Sequence, residues 1–303
     1  MALLSIVSIG VGAAIVYRAF VLYQRLQRLN EGLYPQPLRI TAADFEQAQR
    51  ALGAFDSISL RTQDGLTLRA WYKPSSTGAA VIFIHGKSNN RHVMLHEAAA
   101  VARRGIGVLL YDSRASGDSD GQLHSWGHRE QLDLVAALDD LVERPEIEPG
   151  RIGVYGFSVG ANTALLRAVQ DLRIRALILS GACPSLMHYL RHISSRPRFL
   201  MAWLLLRKYR RAGIPVEQID LTARIAEFSP RPLLMVRGTG SVTVPVTQVQ
   251  ALFDAAREPK EMLVIQGADH NDYVAVGGEP YLEKVASFFE NHLTSPSVKD
   301  SGC

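Results

Sequence analysis

The sharpest chemical signal in this 303-residue chain is Gly156-Phe157-Ser158-Val159-Gly160, a G-x-S-x-G. Ile152-Gly153-Val154-Tyr155 before it reads as a strand, and Ala161 to Leu166 after it reads as a helix. A tight turn between strand and helix thrusts a hydroxyl above the sheet, and flanking glycines allow the close backbone approach such a turn demands. The chemistry would be nucleophilic attack by an activated serine. The plainer alternative is a glycine-rich turn whose serine caps a helix. Five letters alone decide little between the two; the strand on one side and the helix on the other carry the weight.

The elements needed to hold such a turn are legible around it. Short strand-like runs at 57–60, 66–72, 80–84, 108–111, 152–155, 176–180, 233–236 and 262–265 alternate with helical stretches at 93–104, 126–143, 158–170, 246–257 and 280–293. Asp64-Gly65 joins the first two runs as a hairpin signal, so the sheet starts antiparallel. The later runs are apolar without alternation, as expected of strands covered on both faces. The expected fold is therefore α/β, a mostly parallel doubly wound sheet with an antiparallel N-terminal hairpin. Ligands of such sheets bind beyond the carboxyl ends of the strands.

Several motifs in order make the chain resemble the α/β-hydrolase superfamily, more narrowly membrane-associated bacterial serine hydrolases of esterase, thioesterase and prolyl-oligopeptidase-like type. They are Ile84-His85-Gly86, the run Tyr111-Asp112-Ser113-Arg114-Ala115-Ser116-Gly117-Asp118-Ser119, the G-x-S-x-G, Arg237-Gly238-Thr239 with Val244-Pro245, and Gly267-Ala268-Asp269-His270-Asn271-Asp272. The resemblance covers residues 57–292. It implies Ser158 as nucleophile and His270 as the general base. It further implies an oxyanion hole made by the backbone N–H groups of Val159 and Lys87. Asp112 and Asp118 read as structural hydrogen-bonders, and no cofactor is implied.

One position departs from the family pattern. In Gly238-Thr239-Gly240-Ser241-Val242-Thr243-Val244-Pro245 the triad aspartate is expected where Ser241 stands. A hydroxyl can accept the histidine Nδ1–H, but it offers no negative charge to the imidazolium of the transition state. Three explanations stay open: an acid supplied from elsewhere, an impaired enzyme with Ser241 in the triad place, or a non-catalytic binding protein on the same fold. Asp269 and Asp272 are near in sequence, with Asp272 better suited to capping a helix or accepting in a turn.

Composition removes other classes. Two cysteines, Cys183 and Cys303, make neither a disulfide framework nor a zinc site, so no metal is expected. The net charge of +4 is local, with 8 Lys and Arg against 3 Asp and Glu between 184 and 230. A nucleic-acid partner would spread basic residues over a face. A dinucleotide-binding G-x-G-x-x-G after the first strand is missing.

Residues 1–23 form an apolar stretch interrupted only by Arg18, long enough to cross a bilayer, with Arg25 and Arg28 following it. The reading is a single-pass N-terminal anchor with the catalytic domain cytoplasmic, a cleavable signal or a packed helix being the alternatives. Residues 24–53 read as a juxtamembrane linker, 54–293 as the hydrolase domain and 294–303 as a disordered tail. The insertion 184–230 carries an apolar run at 199–206 flanked by arginines, which suits a helical lid over the site or an interfacial helix. Both put apolar surface near Ser158. The expected activity is cleavage of a carboxylic ester or thioester, with amide as a variant, of an apolar or lipid-like acyl substrate. The rival is a membrane-tethered ligand-binding or scaffolding protein.

Overall fold

The computed structural model describes residues 37–187, 189 and 198–294, together with 16, 17 and 20. Eight strands form one sheet: β1 (Asp56–Arg61), β2 (Thr67–Lys73), β3 (Ala80–Ile84), β4 (Gly107–Tyr111), β5 (Ile152–Phe157), β6 (Ile174–Ser180), β7 (Leu233–Gly238) and β8 (Lys260–Ile265). Their order is β1-β2-β4-β3-β5-β6-β7-β8. β1 and β2 pair antiparallel, as Asp64-Gly65 predicts, and β2 meets β4 antiparallel; the remaining pairs are parallel. β3 and β4 are buried along their whole length. Strands covered on both faces have no use for a polar alternate position, which is why these runs are uniformly apolar.

Seven described helices follow: α1 (Ala42–Leu52), α2 (Leu95–Ala102), α3 (Gln131–Val142), α4 (Val159–Ala168), α5 (Arg198–Arg211), α6 (Val246–Ala255) and α7 (Tyr273–Leu293). Alternate strand residues divide between two cores. Ile82, Leu109, Val154, Leu177 and Met235 face α3, α4 and α6, while Val81, Leu110, Tyr155, Ile178 and Val236 face α1, α2 and α7. The period of two in the strands thus supplies both layers of the doubly wound fold.

Some boundaries differ from the sequence reading, the last helix starting at Tyr273 rather than 280 among them. Part of the stretch read as a linker is α1, which begins in a capping box between Thr41 and Asp44. It buries Ala48 and Leu52 against the sheet. The helix expected from 126 starts at Gln131, because Trp126 (φ 59°) and Gly127 (φ 96°) are left-handed. The Glu130 carboxylate holds that turn by accepting from the backbone N–H groups of Ser125 and Gly127 and from Ser125 Oγ.

Most of the N-terminal stretch read as an anchor, and the tail beyond Thr294, lie outside the described residues. Among the described residues no helix is long and apolar enough to cross a membrane.

Candidate active site

The turn from β5 into α4 is built by close contact. A Cβ on Gly160 would lie 2.3 Å from the carbonyl oxygen of Ile84, and one on Gly156 would lie 2.5 Å from that of Gly160. Only glycine lets the turn pack this tightly on β3. Ser158 takes φ 54° and ψ −117°, a conformation that non-glycine residues adopt at a cost of about 1–3 kcal/mol. The strain is held by the hydrogen bond from Ser158 N to Ser180 O at 2.8 Å, which ties the turn to β6. Ser88 and Trp126 also have positive φ, and both line the cavities around the turn.

His270 lies in the loop after β8. Its Nε2 is 2.9 Å from Ser158 Oγ. With Oγ–H donating, Nε2 is the unprotonated nitrogen and Nδ1 carries the proton. The ring is 5% exposed, and burial pushes its pKa below the usual histidine value, with Asp269 opposing that shift. The imidazole is therefore neutral near pH 7 and can take a proton. Phe157 packs against it with ring centroids 5.2 Å apart.

Val159 and Lys87 both line the pocket that holds Ser158 and His270, so the residues expected to supply oxyanion donors are brought to the nucleophile. The loop carrying Lys87 is pinned by His85. Its Nδ1 is 2.7 Å from Gly86 O, and its Nε2 accepts from Ser113 N at 3.0 Å. Burial pushes the His85 pKa down, which suits a neutral ring that donates once and accepts once. Asp112 accepts from Arg91 N at 2.7 Å, from Arg91 Nη1 and from Asp118 N at 2.8 Å. It is a structural anchor, in keeping with the sequence.

Ser241 is not brought to the histidine. Its Oγ accepts from Val244 N at 3.4 Å, within its own turn, and a serine hydroxyl is a bond shorter than an aspartate carboxylate. The expectation that Ser241 takes the Nδ1–H is corrected: Nδ1 is buried and meets no hydrogen-bond partner among the described residues. Asp269 does not replace it, since its Oδ1 accepts from His270 N at 2.6 Å and Val242 N at 3.4 Å. Nor does Asp272. It occupies the N-cap position of α7 without making a side-chain cap, contrary to expectation, and its Oδ1 is buried and unpartnered. Nδ1 instead abuts Gly181, the residue that follows β6: a Cβ there would lie 3.1 Å from it.

Two cavities meet at this histidine. The one containing Ser158, of about 200 Å³, is walled by Trp126, Phe157, Tyr189 and Val244. The other, of about 460 Å³, shares Lys87, Asn89 and Asn271 with it and adds Glu97, Met94 and Tyr273. The insertion reaches the site through Tyr189, whose ring lies 4.8 Å from that of Trp126. Trp126 Nε1 donates to Tyr209 Oη of α5 at 2.9 Å, which locks the insertion to the loop after β4. Read from the sequence as the start of a helix, Trp126 gave no hint of this role; nor did Tyr189, Glu97 or Asn271.

Residues 75–229 match the family model described as serine aminopeptidase, S33. The chain belongs to this family of α/β hydrolases. An uncharacterised protein of Mycobacterium tuberculosis, Rv2307c, is 30% identical over 255 residues, covering 82% of this chain and 84% of its own. The polyketide transferase grgF of a Penicillium species is 27% identical over 282 residues, covering 78% of this chain and 96% of its own. Its crystal structure, as an alpha/beta hydrolase, superposes with a TM-score of 0.65 at 25% identity, covering 80% of this chain and all of that one. The esterase Pf2001 of Pyrococcus furiosus superposes at 0.69 and 23% identity, over 86% of this chain and all of that one, and so speaks for the fold.

Proposed function

We propose that the chain is a serine hydrolase that cleaves a carboxylic ester or thioester through an acyl-enzyme on Ser158. The observation that carries this reading is the 2.9 Å contact between His270 Nε2 and Ser158 Oγ at a strained strand-to-helix turn. His270 takes the Oγ proton as Oγ attacks the carbonyl carbon. The developing oxyanion is met by the backbone N–H groups of Val159 and Lys87. As the tetrahedral adduct collapses, the carbonyl carbon releases the leaving alcohol or thiol, which takes the proton from Nε2. A water then attacks the acyl carbon with His270 again as base, giving the acid and free Ser158. The aromatic wall of Trp126, Phe157 and Tyr189 beside Ser158 supports an apolar acyl group. The apolar stretch in 1–23 supports a membrane anchor with this domain on the cytoplasmic side, which carbonate extraction and protease protection of the full chain would test.

The test is turnover of a p-nitrophenyl ester series of increasing acyl length, with Ser158→Ala as the blank. Hydrolysis that Ser158→Ala reduces by about a thousandfold or more supports the reading. Turnover unchanged in that variant would sink it. A second reading, a ligand-binding protein on a hydrolase fold, is favoured by the unpartnered His270 Nδ1. It requires that no member of the series be hydrolysed above the blank.

A further inference from the structure

One ionisable group lining the larger cavity has no part in these steps. Glu97 lies on α2, 4% exposed, on a helix whose other buried residues are leucine, alanine and valine. Its Oε1 accepts from Tyr281 Oη at 2.9 Å, and Tyr281 Oη is 2.5 Å from Tyr155 Oη. Its Oε2 has no hydrogen-bond partner among the described residues. Leaving a buried polar group unpaired is costly, whereas an alanine or leucine at this place would cost nothing of the kind. Burial pushes the carboxyl up to about 7, so near neutral pH the protonated and ionised forms are both well populated.

Glu97 lines only the larger cavity and Ser158 and Val159 only the smaller, while His270 and Asn271 line both. A leaving atom must come within reach of Nε2 to receive its proton; with the acyl group against the aromatic wall beside Ser158, the larger cavity, which His270 also lines, is left for the leaving group. We propose that Glu97 is a specificity-determining residue that binds a hydroxyl group carried on the leaving-group side of the substrate. This rests on the hydrolase reading for which side of the ester enters the cavity. A carboxyl able both to donate and to accept matches a hydroxyl, which does the same. An ammonium group fits less well: it would need the buried carboxylate in its ionised form, in a cavity that Lys87 also lines.

The test uses matched pairs carrying one acyl group and either a hydroxyalkyl or an equally long alkyl leaving group, as esters for turnover and as non-hydrolysable ethers for calorimetric binding. The parent is expected to favour the hydroxyalkyl member by about tenfold in kcat/KM and in Kd. Glu97→Leu should abolish the preference while leaving turnover of the alkyl ester within about twofold. Glu97→Gln, which keeps a donor, an acceptor and a partner for Tyr281, should retain part of it and serves if Glu97→Leu melts early. Equal handling of the pair by the parent, or a preference that survives in Glu97→Leu, would overturn the assignment. Were no ester cleaved but the hydroxyalkyl ether still bound more tightly in a Glu97-dependent way, the hydrolase reading would fall and the Glu97 site would stand.

Discussion

His270 Nε2 lies 2.9 Å from Ser158 Oγ, while Nδ1 of the same ring is buried against Gly181 with no acceptor among the described residues. Half of a proton relay is assembled and the other half is missing. The imidazole is placed by packing, with Phe157 beside it and Gly181 at its Nδ1 edge, and no carboxylate among the described residues fixes its tautomer.

An aspartate at 241 should supply what is missing. Ser241→Asp is expected to raise kcat/KM by roughly two orders of magnitude, part of the ~10⁴ that the acid contributes in well-studied triads. Steady-state turnover of one ester by parent and variant checks it. No gain would mean that the 239–245 turn holds the side chain away from Nδ1.

The pH profile should report the same vacancy. Activity follows the neutral imidazole, and burial depresses the His270 pKa, so parent kcat/KM should be flat above the ordinary histidine range and fall only as pH drops through a lower value. In Ser241→Asp the new carboxylate stabilises the imidazolium, so the acid limb should move to higher pH. A limb that moves down or stays put contradicts the assignment.

Gly181→Ala should slow the chemistry without unfolding the chain. Position 181 has φ +57°, and the added Cβ would meet His270 Cε1 at 2.9 Å and Nδ1 at 3.1 Å. The ring must shift from Ser158 Oγ, so kcat should fall by about tenfold or more, a misplacement effect. Backbone strain costs a further ~1–2 kcal/mol. Turnover and thermal melting together separate the two contributions.

Trp126→Phe keeps an aromatic wall but removes the donor to Tyr209 Oη, a side chain only 2% exposed. The orphaned hydroxyl should cost about 1–3 kcal/mol, read by urea denaturation. KM should rise most for the longest acyl chains, since the insertion then loses its tie to the loop after β4.

What was legible in the sequence follows from how local each signal is. All eight strands were: β3 and β4, buried on both faces, read as unbroken apolar runs and Asp64-Gly65 marked the hairpin of β1 and β2, while Ser158 was legible because Gly156 and Gly160 mark a turn that only glycines allow. The start of α3 was missed because the left-handed turn at Trp126 and Gly127 is imposed by the Glu130 carboxylate rather than by their own propensities. Ser241 was singled out at the right turn, but whether its hydroxyl reaches Nδ1 depends on angstroms between loops far apart in sequence. Glu97 reads simply as a polar residue on an alanine-rich helix; only the tertiary fold sets it in a cavity beside His270.

The central claim is an activated Ser158, and intact-mass and peptide mapping after exposure to a fluorophosphonate test it most directly. The account predicts one adduct per chain on the peptide containing Ser158, none in Ser158→Ala, and labelling slowed at least about tenfold in His270→Ala. A parent chain left unmodified, or modified at a different serine, would contradict it.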